Sequence, residues 1–269
     1  MSSAAPNPER VVSRDGTSIA VWRSGEGPPL VAVHGVTIDH TAWDLMRQWL
    51  DPKRTLHALD RRGHGTSQLG GSRYRLESEV ADLLAVLERF PAPVDVLAHS
   101  FGGLVALEAA RLTDRIHRLV VYEPSVDDDP DFPEVLERIT ALVDEGRIEE
   151  AAVVLLVERS GVPAEAIDAV RELPLWPILL DGVRTLPREG ATVVAYRFEP
   201  AHFASLRIPI LVLVGGDSPG WRHAAMDALH AALPTSELCV LAGHGHLATH
   251  TGPESLARET LRFLDPDAV

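Results

Sequence analysis

Positive charge is scarce in this sequence. Its 269 residues hold 25 arginines and lysines against 39 aspartates and glutamates, a formal net charge of −14. Nucleic acid and anionic membranes are recognised through basic surface, so the deficit argues against both as partners. The acidity itself reads as solubility. Cysteine is nearly absent. Cys239 stands alone, so no internal disulfide can form, and its setting in Leu238-Cys239-Val240-Leu241 is that of a buried strand residue. No apolar run approaches the roughly 20 residues of a membrane span. Met1 to Glu9 carry neither the basic nor the apolar region of a secretory leader, and a soluble, cytoplasmic protein is expected. Internal repeats and low-complexity segments are missing too.

What the chain does have is a steady alternation of short apolar runs and amphipathic stretches. Residues 10–13 and 18–23 flank the turn signal Arg14-Asp15-Gly16-Thr17, which predicts an antiparallel hairpin. Residues 30–33 form a wholly apolar run of the kind buried on both faces, and 55–59, 94–98, 116–122, 210–214 and 238–241 read as further strands. Helical spacing falls between them at 43–50, 77–90, 103–110, 221–233 and 253–264. Such alternation predicts an α/β protein with a mostly parallel, eight-stranded, doubly wound sheet. From 124 to 205 the alternation breaks, and helical patterns follow one another at 132–144, 148–159, 163–173 and 178–186. This stretch is expected to be a helical cap inserted after the sixth strand, with 1–123 and 206–269 as the core. The run Asp127-Asp128-Asp129-Pro130-Asp131 lacks the ligand spacing of a Ca²⁺ loop and reads as a solvated hinge.

One junction stands out. The strand ending at Ala98 runs into His99-Ser100-Phe101-Gly102-Gly103 and on into a helix with no loop between. A chain that turns from strand to helix on one residue must bend sharply there, and small neighbours are needed two positions either side. Ala98 and Gly102 meet that need around Ser100, as in the G-x-S-x-G elbow, with alanine replacing the first glycine. An ordinary serine N-cap would show the same residue type, but His34-Gly35 upstream and His246 downstream favour a nucleophile.

Together, the His34-Gly35 turn, the Asp60-x-Arg62-Gly63-x-Gly65-x-Ser67 loop, the Ser100 elbow and the late Gly-His-Leu resemble the α/β-hydrolase superfamily, its serine esterase and lactonase branch in particular. The resemblance spans almost the whole chain. It implies Ser100 as nucleophile and His246 as its base, since Gly245-His246-Leu247 precedes a helix led by Pro253-Glu254. His244 is the competing histidine. It implies backbone N–H donors from Val36 and Phe101 for an oxyanion, with His34 and the Asp60 loop architectural. The acid that orients His246 has two candidates. Asp217 lies in Gly215-Gly216-Asp217-Ser218, one residue early, with Ser218 in strict register; Glu123 closes the sixth strand and is slightly favoured. Trp43, Phe132, Trp176, Phe203 and Leu247 are expected to line an apolar pocket. His244, His246 and His250 have no matching carboxylates or cysteines, so no metal is expected, and no cofactor. The implied activity is hydrolysis of a small, largely apolar ester or lactone by a monomer or homodimer. A C–C bond hydrolase, a non-hydrolytic tailoring enzyme and a ligand-binding receptor share the scaffold.

Overall fold

The computed structural model describes residues 7–71, 74–126 and 129–265. Met1 to Pro6 of the N-terminal segment and Asp127 and Asp128 of the acidic run lie outside the described residues. Eight strands form one sheet: β1 (Glu9–Val12), β2 (Ser18–Gly25), β3 (Pro29–Val33), β4 (Thr55–Asp60), β5 (Val94–His99), β6 (Ile116–Tyr122), β7 (Ile210–Gly215) and β8 (Ser236–Leu241). Their spatial order is β1-β2-β4-β3-β5-β6-β7-β8. β2 is antiparallel to both β1 and β4, and every other pairing is parallel.

Successive residues of a strand point to opposite faces, and here both faces are apolar. In β3, Val31 and Val33 join one core while Leu30 and Ala32 join the other. In β7, Ile210, Val212 and Val214 alternate with Leu211 and Leu213 in the same way. The helices that cover the faces are α1 (Arg47–Leu50), α2 (Leu76–Leu87), α3 (Phe101–Ala110), α9 (Gly220–Ala232), α10 (Ala248–Thr251) and α11 (Pro253–Leu264). Val80 and Leu83 of α2, Leu104 and Val105 of α3 and Met226 of α9 pack on one face. Trp43, Met46, Leu50 and the α11 residues Leu256 and Leu261 pack on the other. The turn predicted as helix at 43–50 is a 3-10 helix over His40–Met46 that continues into α1, with Asp39 accepting the Thr41 N–H at its start.

Between β6 and β7 the chain is helical: α4 (Phe132–Asp144), α5 (Ile148–Val154), α6 (Ile167–Arg171), α7 (Trp176–Val183) and α8 (Leu186–Ala195). A π turn over Leu155–Arg159 ends α5. The helix expected at 178–186 overlaps α7 and reaches only the first residue of α8, because Pro187 and Gly190 lower the apparent helical signal beyond it. Proline at the first turn of a helix costs nothing, and Gly190 packs its open face against Leu136 of α4. No helix of the described residues is long and apolar enough to cross a membrane.

Candidate active site

Parallel strands deliver their carboxyl ends to one edge of the sheet, and ligands of open α/β sheets bind there. Gly35 and Val36 follow β3, Ser100 follows β5, Glu123 follows β6, Ser218 follows β7 and His246 follows β8. Three residues other than glycine have positive φ among the described residues: Thr37 (60°), Ser100 (53°) and Glu123 (43°). All three stand at this edge. Such backbone costs energy and persists only where the surroundings fix it. The Ser100 N–H donates to Tyr122 O at 3.0 Å and the Glu123 N–H to Leu213 O at 3.0 Å, so the sheet holds both bends in place.

Close packing explains the small residues around the elbow. A Cβ on Gly102 would stand 2.3 Å from the His34 carbonyl oxygen and 2.5 Å from that of Val33. A Cβ on Gly35 would stand 3.0 Å from the Cβ of Ser100. Only glycine lets the β3 loop and the head of α3 come this near.

From these ends three side chains meet in series. Ser100 Oγ lies 3.1 Å from His246 Nε2, and His246 Nδ1 lies 2.6 Å from Glu123 Oε2. A carboxylate only accepts, so Nδ1 carries the proton and Nε2 presents its lone pair to the serine hydroxyl. Glu123 is fully buried. Its second oxygen takes the Gly215 N–H at 2.8 Å and the Ser218 hydroxyl at 2.5 Å. Burial works to raise its pKa, but the bond to His246 and the charges of His246 and Arg222 outweigh it and hold the carboxyl at about 2. Burial, then the Arg222 guanidinium, push His246 down to about 4 against the opposing pull of Glu123. His246 is therefore neutral and Glu123 ionised at pH 7.

Asp217 takes no part in this chain. Its N–H donates to His244 O at 2.9 Å, and among the described residues its carboxylate makes no hydrogen bond to His246. Ser218, in strict register for an acid, instead helps hold the carboxylate that β6 supplies. His244 turns to α11, where its Nε2 lies 3.2 Å from Ser255 Oγ. Among the described residues no acceptor is found for the backbone N–H groups of Phe101 and Val36.

His34 is tied down at both ring nitrogens: Nδ1 lies 2.7 Å from Gly35 O, and Nε2 accepts the Arg61 N–H at 3.0 Å. Asp60 accepts from His40, Trp22 and Thr66. Arg62 pairs with Asp82 and Asp15. These partners make the Asp60 loop a framework beneath the site.

A cavity of about 800 Å³ opens over Ser100 and His246, and its walls come from both the sheet edge and the inserted helices. Val36, Phe132 and Leu247 line it, with Leu155, Val162 and Leu179 among the apolar neighbours. Trp43, Trp176 and Phe203 do not line it, a correction to the sequence reading. Trp43 is fully buried with Met46 and Leu50 on the opposite face of the sheet. Phe203 stacks on Phe198 at 5.4 Å in the core, and Trp176 is packed among the inserted helices. Large aromatics at helical spacing serve a core as readily as a pocket. The sequence also gave no sign of Ser125, whose Oγ lies 3.4 Å from that of Ser100, or of Arg222. The acidic run is not simply solvated either: Asp129 pairs with Arg159 at 2.9 Å, both side chains 10% exposed.

A doubly wound sheet that bends at Ser100 and sets a histidine and a buried carboxylate behind it is the architecture of an α/β hydrolase. The chain belongs to the alpha/beta hydrolase family, whose model matches residues 30–259. An alpha/beta hydrolase from Sphaerobacter thermophilus is 32% identical, with a TM-score of 0.82 over 95% of this chain and 100% of that one. Pimeloyl-[acyl-carrier protein] methyl ester esterase of Vibrio vulnificus is 28% identical over 90% of this chain and 96% of its own length. 2-(Acetamidomethylene)succinate hydrolase of Mesorhizobium japonicum is 25% identical, covering 92% of each chain.

Proposed function

We propose that the protein is a serine hydrolase that cleaves a small, largely apolar carboxylic ester or lactone through an acyl-enzyme on Ser100. The observation that carries this is the unbroken series Ser100 Oγ, His246, Glu123, at 3.1 and 2.6 Å. Ester cleavage by the Vibrio relative supports the bond type, and the apolar cavity wall supports the substrate's character.

In this reading Ser100 Oγ attacks the carbonyl carbon while His246 Nε2 takes its proton. A serine hydroxyl is a weak nucleophile without such a base. Glu123 fixes the tautomer and stabilises the imidazolium. The N–H groups of Phe101 and Val36 hold the tetrahedral oxyanion, each worth very roughly 3 kcal/mol. Collapse expels the alcohol, which takes the proton from His246. Water, deprotonated by the same base, then releases the acid. Residues 124–205 act as the cap that walls the cavity from solvent.

The test is a series of p-nitrophenyl esters of rising acyl length, with Ser100→Ala beside the wild type. Multiple turnovers in the wild type, lost on the order of 10⁴-fold or more in Ser100→Ala, are expected. No turnover in the wild type, or activity that survives the substitution, would overturn the reading.

A further inference from the structure

Arg222 is an unusual neighbour for a catalytic base. It stands in the first turn of α9, 1% exposed, with its guanidinium 4.5 Å from the Trp221 ring centroid. Its Nη1 lies 2.9 Å from His246 Nδ1, and its Nε lies 3.3 Å from Glu123 Oε2. Nδ1 already carries the proton it gives to Glu123. Nη1 therefore meets an N–H, and its effect on the ring is one of charge rather than of hydrogen bonding.

The other groups that face His246 sharpen the point. Glu123 at the end of β6 is an anion. His99 of β5 is buried with its ring 4.8 Å away, and burial keeps it neutral. Arg159, from the inserted helices, stacks on the far side of the assembly, 4.7 Å from the Trp221 centroid and 4.7 Å from that of Phe132. Its charge too acts against protonation of His246. Ser100 is uncharged. The ring thus sits among the Glu123 carboxylate and the guanidinium groups of Arg222 and Arg159, the last paired with Asp129 at 2.9 Å.

Resting on the proposed roles of Ser100, His246 and Glu123, we infer that Arg222 is a positioning residue that sets the acid limit of the reaction. It steadies Glu123 as a carboxylate and opposes the cationic form of His246, so that Nε2 keeps its lone pair for Ser100 in mildly acidic solution. The same charge is felt when the imidazolium forms during attack, which makes His246 a weaker base at neutral pH. Arg222 exchanges some rate at pH 7 for a wider working range below it. The downward shift of both Glu123 and His246 agrees in direction.

The experiment uses two readouts from about pH 4 to pH 9. One is the second-order rate of Ser100 labelling by an alkyl fluorophosphonate. The other is the titration of the His246 ring nitrogens by ¹⁵N NMR, which needs no turnover. The wild-type midpoint should fall well below that of a free histidine, roughly 6.5. Arg222→Gln should raise it by about one pH unit or more, while Arg222→Lys, which keeps the charge, should stay within about half a unit of wild type. Coincident midpoints for wild type and Arg222→Gln would overturn the inference. So would an Arg222→Lys midpoint that moves as far as that of Arg222→Gln, because packing and not charge would then be at work. Should Arg222→Gln not fold, a wild-type His246 midpoint at about 6 or above overturns it alone. A wild type that never labels overturns the serine-hydrolase reading and this inference with it, whereas a wild type that labels with a midpoint Arg222→Gln does not move overturns this inference alone.

Discussion

Glu189 on α8 meets His64 below β4 at 2.6 Å, with both side chains closed off from solvent. Arg61 joins the same carboxylate at 3.1 Å while also gripping Glu79. The inserted helices are thus pinned to the sheet by a buried charge at a point where Arg188 also donates to the Arg62 carbonyl. Removing one partner of a buried pair leaves the others uncompensated, which typically costs 3–5 kcal/mol. Glu189→Gln keeps the shape and loses the charge. It should lower stability by about 3 kcal/mol and the melting temperature by on the order of 6–12 °C. Calorimetry on both proteins at pH 7 checks this.

Acid should expose the same device. Burial opposes ionisation of Glu189, but the charges of His64 and Arg61 overcome it and hold the pKa at about 2, below the ordinary 4.5. A carboxyl whose folded pKa lies below its unfolded one stabilises the protein above the unfolded value. That contribution fades as pH falls through the window from about 4.5 to about 2. Asp60, also held low by its partners, adds to the slope. Urea midpoints measured down this range should fall more steeply for the wild type than for Glu189→Gln, so the gap between them closes in acid. A constant gap would show that Glu189 is not ionised in the folded protein.

The sheet was readable because its central strands are apolar on both faces and punctuated by turns, a pattern that period and length reveal together. Ser100 and His246 were readable because the elbow and the late Gly-His leave local marks. Glu123 was half legible. A glutamate closing a buried strand needs a partner, yet nothing in one chain says that the β7 turn will answer with Ser218 rather than Asp217. The pocket was least legible. Trp43 and Phe132 are both aromatics at helical spacing, and which face of the sheet each meets is fixed by the crossover of its helix. Arg222 was invisible, since in α9 it is one polar residue in an amphipathic helix.

Gly102→Ala tests the elbow itself. The added methyl would press on two carbonyl oxygens of the β3 end, at 2.3 and 2.5 Å, and backbone cannot swing aside as a side chain can. Either the elbow opens or β3 shifts, and both move Ser100 against Val36. A misplacement of about 1 Å can cost on the order of 10²-fold in rate. Gly102→Ala should therefore lose both melting temperature and ester turnover, whereas Gly146→Ala, with open space around its Cβ, should lose only stability. Measuring kcat beside thermal unfolding for the two variants separates the cases.

Glu123 and Asp217, substituted side by side, test which carboxylate is the acid. Glu123 touches His246 Nδ1 at 2.6 Å and receives Gly215 and Ser218 on its other oxygen, while Asp217 reaches neither ring nitrogen. Glu123→Gln keeps the volume but offers Nδ1 an amide that can also donate, so the ring no longer has a reason to keep its proton on Nδ1. The wrong tautomer then presents an N–H to Ser100 where a lone pair is needed. Loss of kcat should be on the order of 10⁴-fold, with KM little changed because the pocket wall is untouched. Asp217→Asn, at the cavity edge, should stay within about threefold of wild type. If the two variants lose equally little, the carboxylate seen behind His246 is not what orients it; if Asp217→Asn alone collapses, the β7 loop must rearrange when substrate binds.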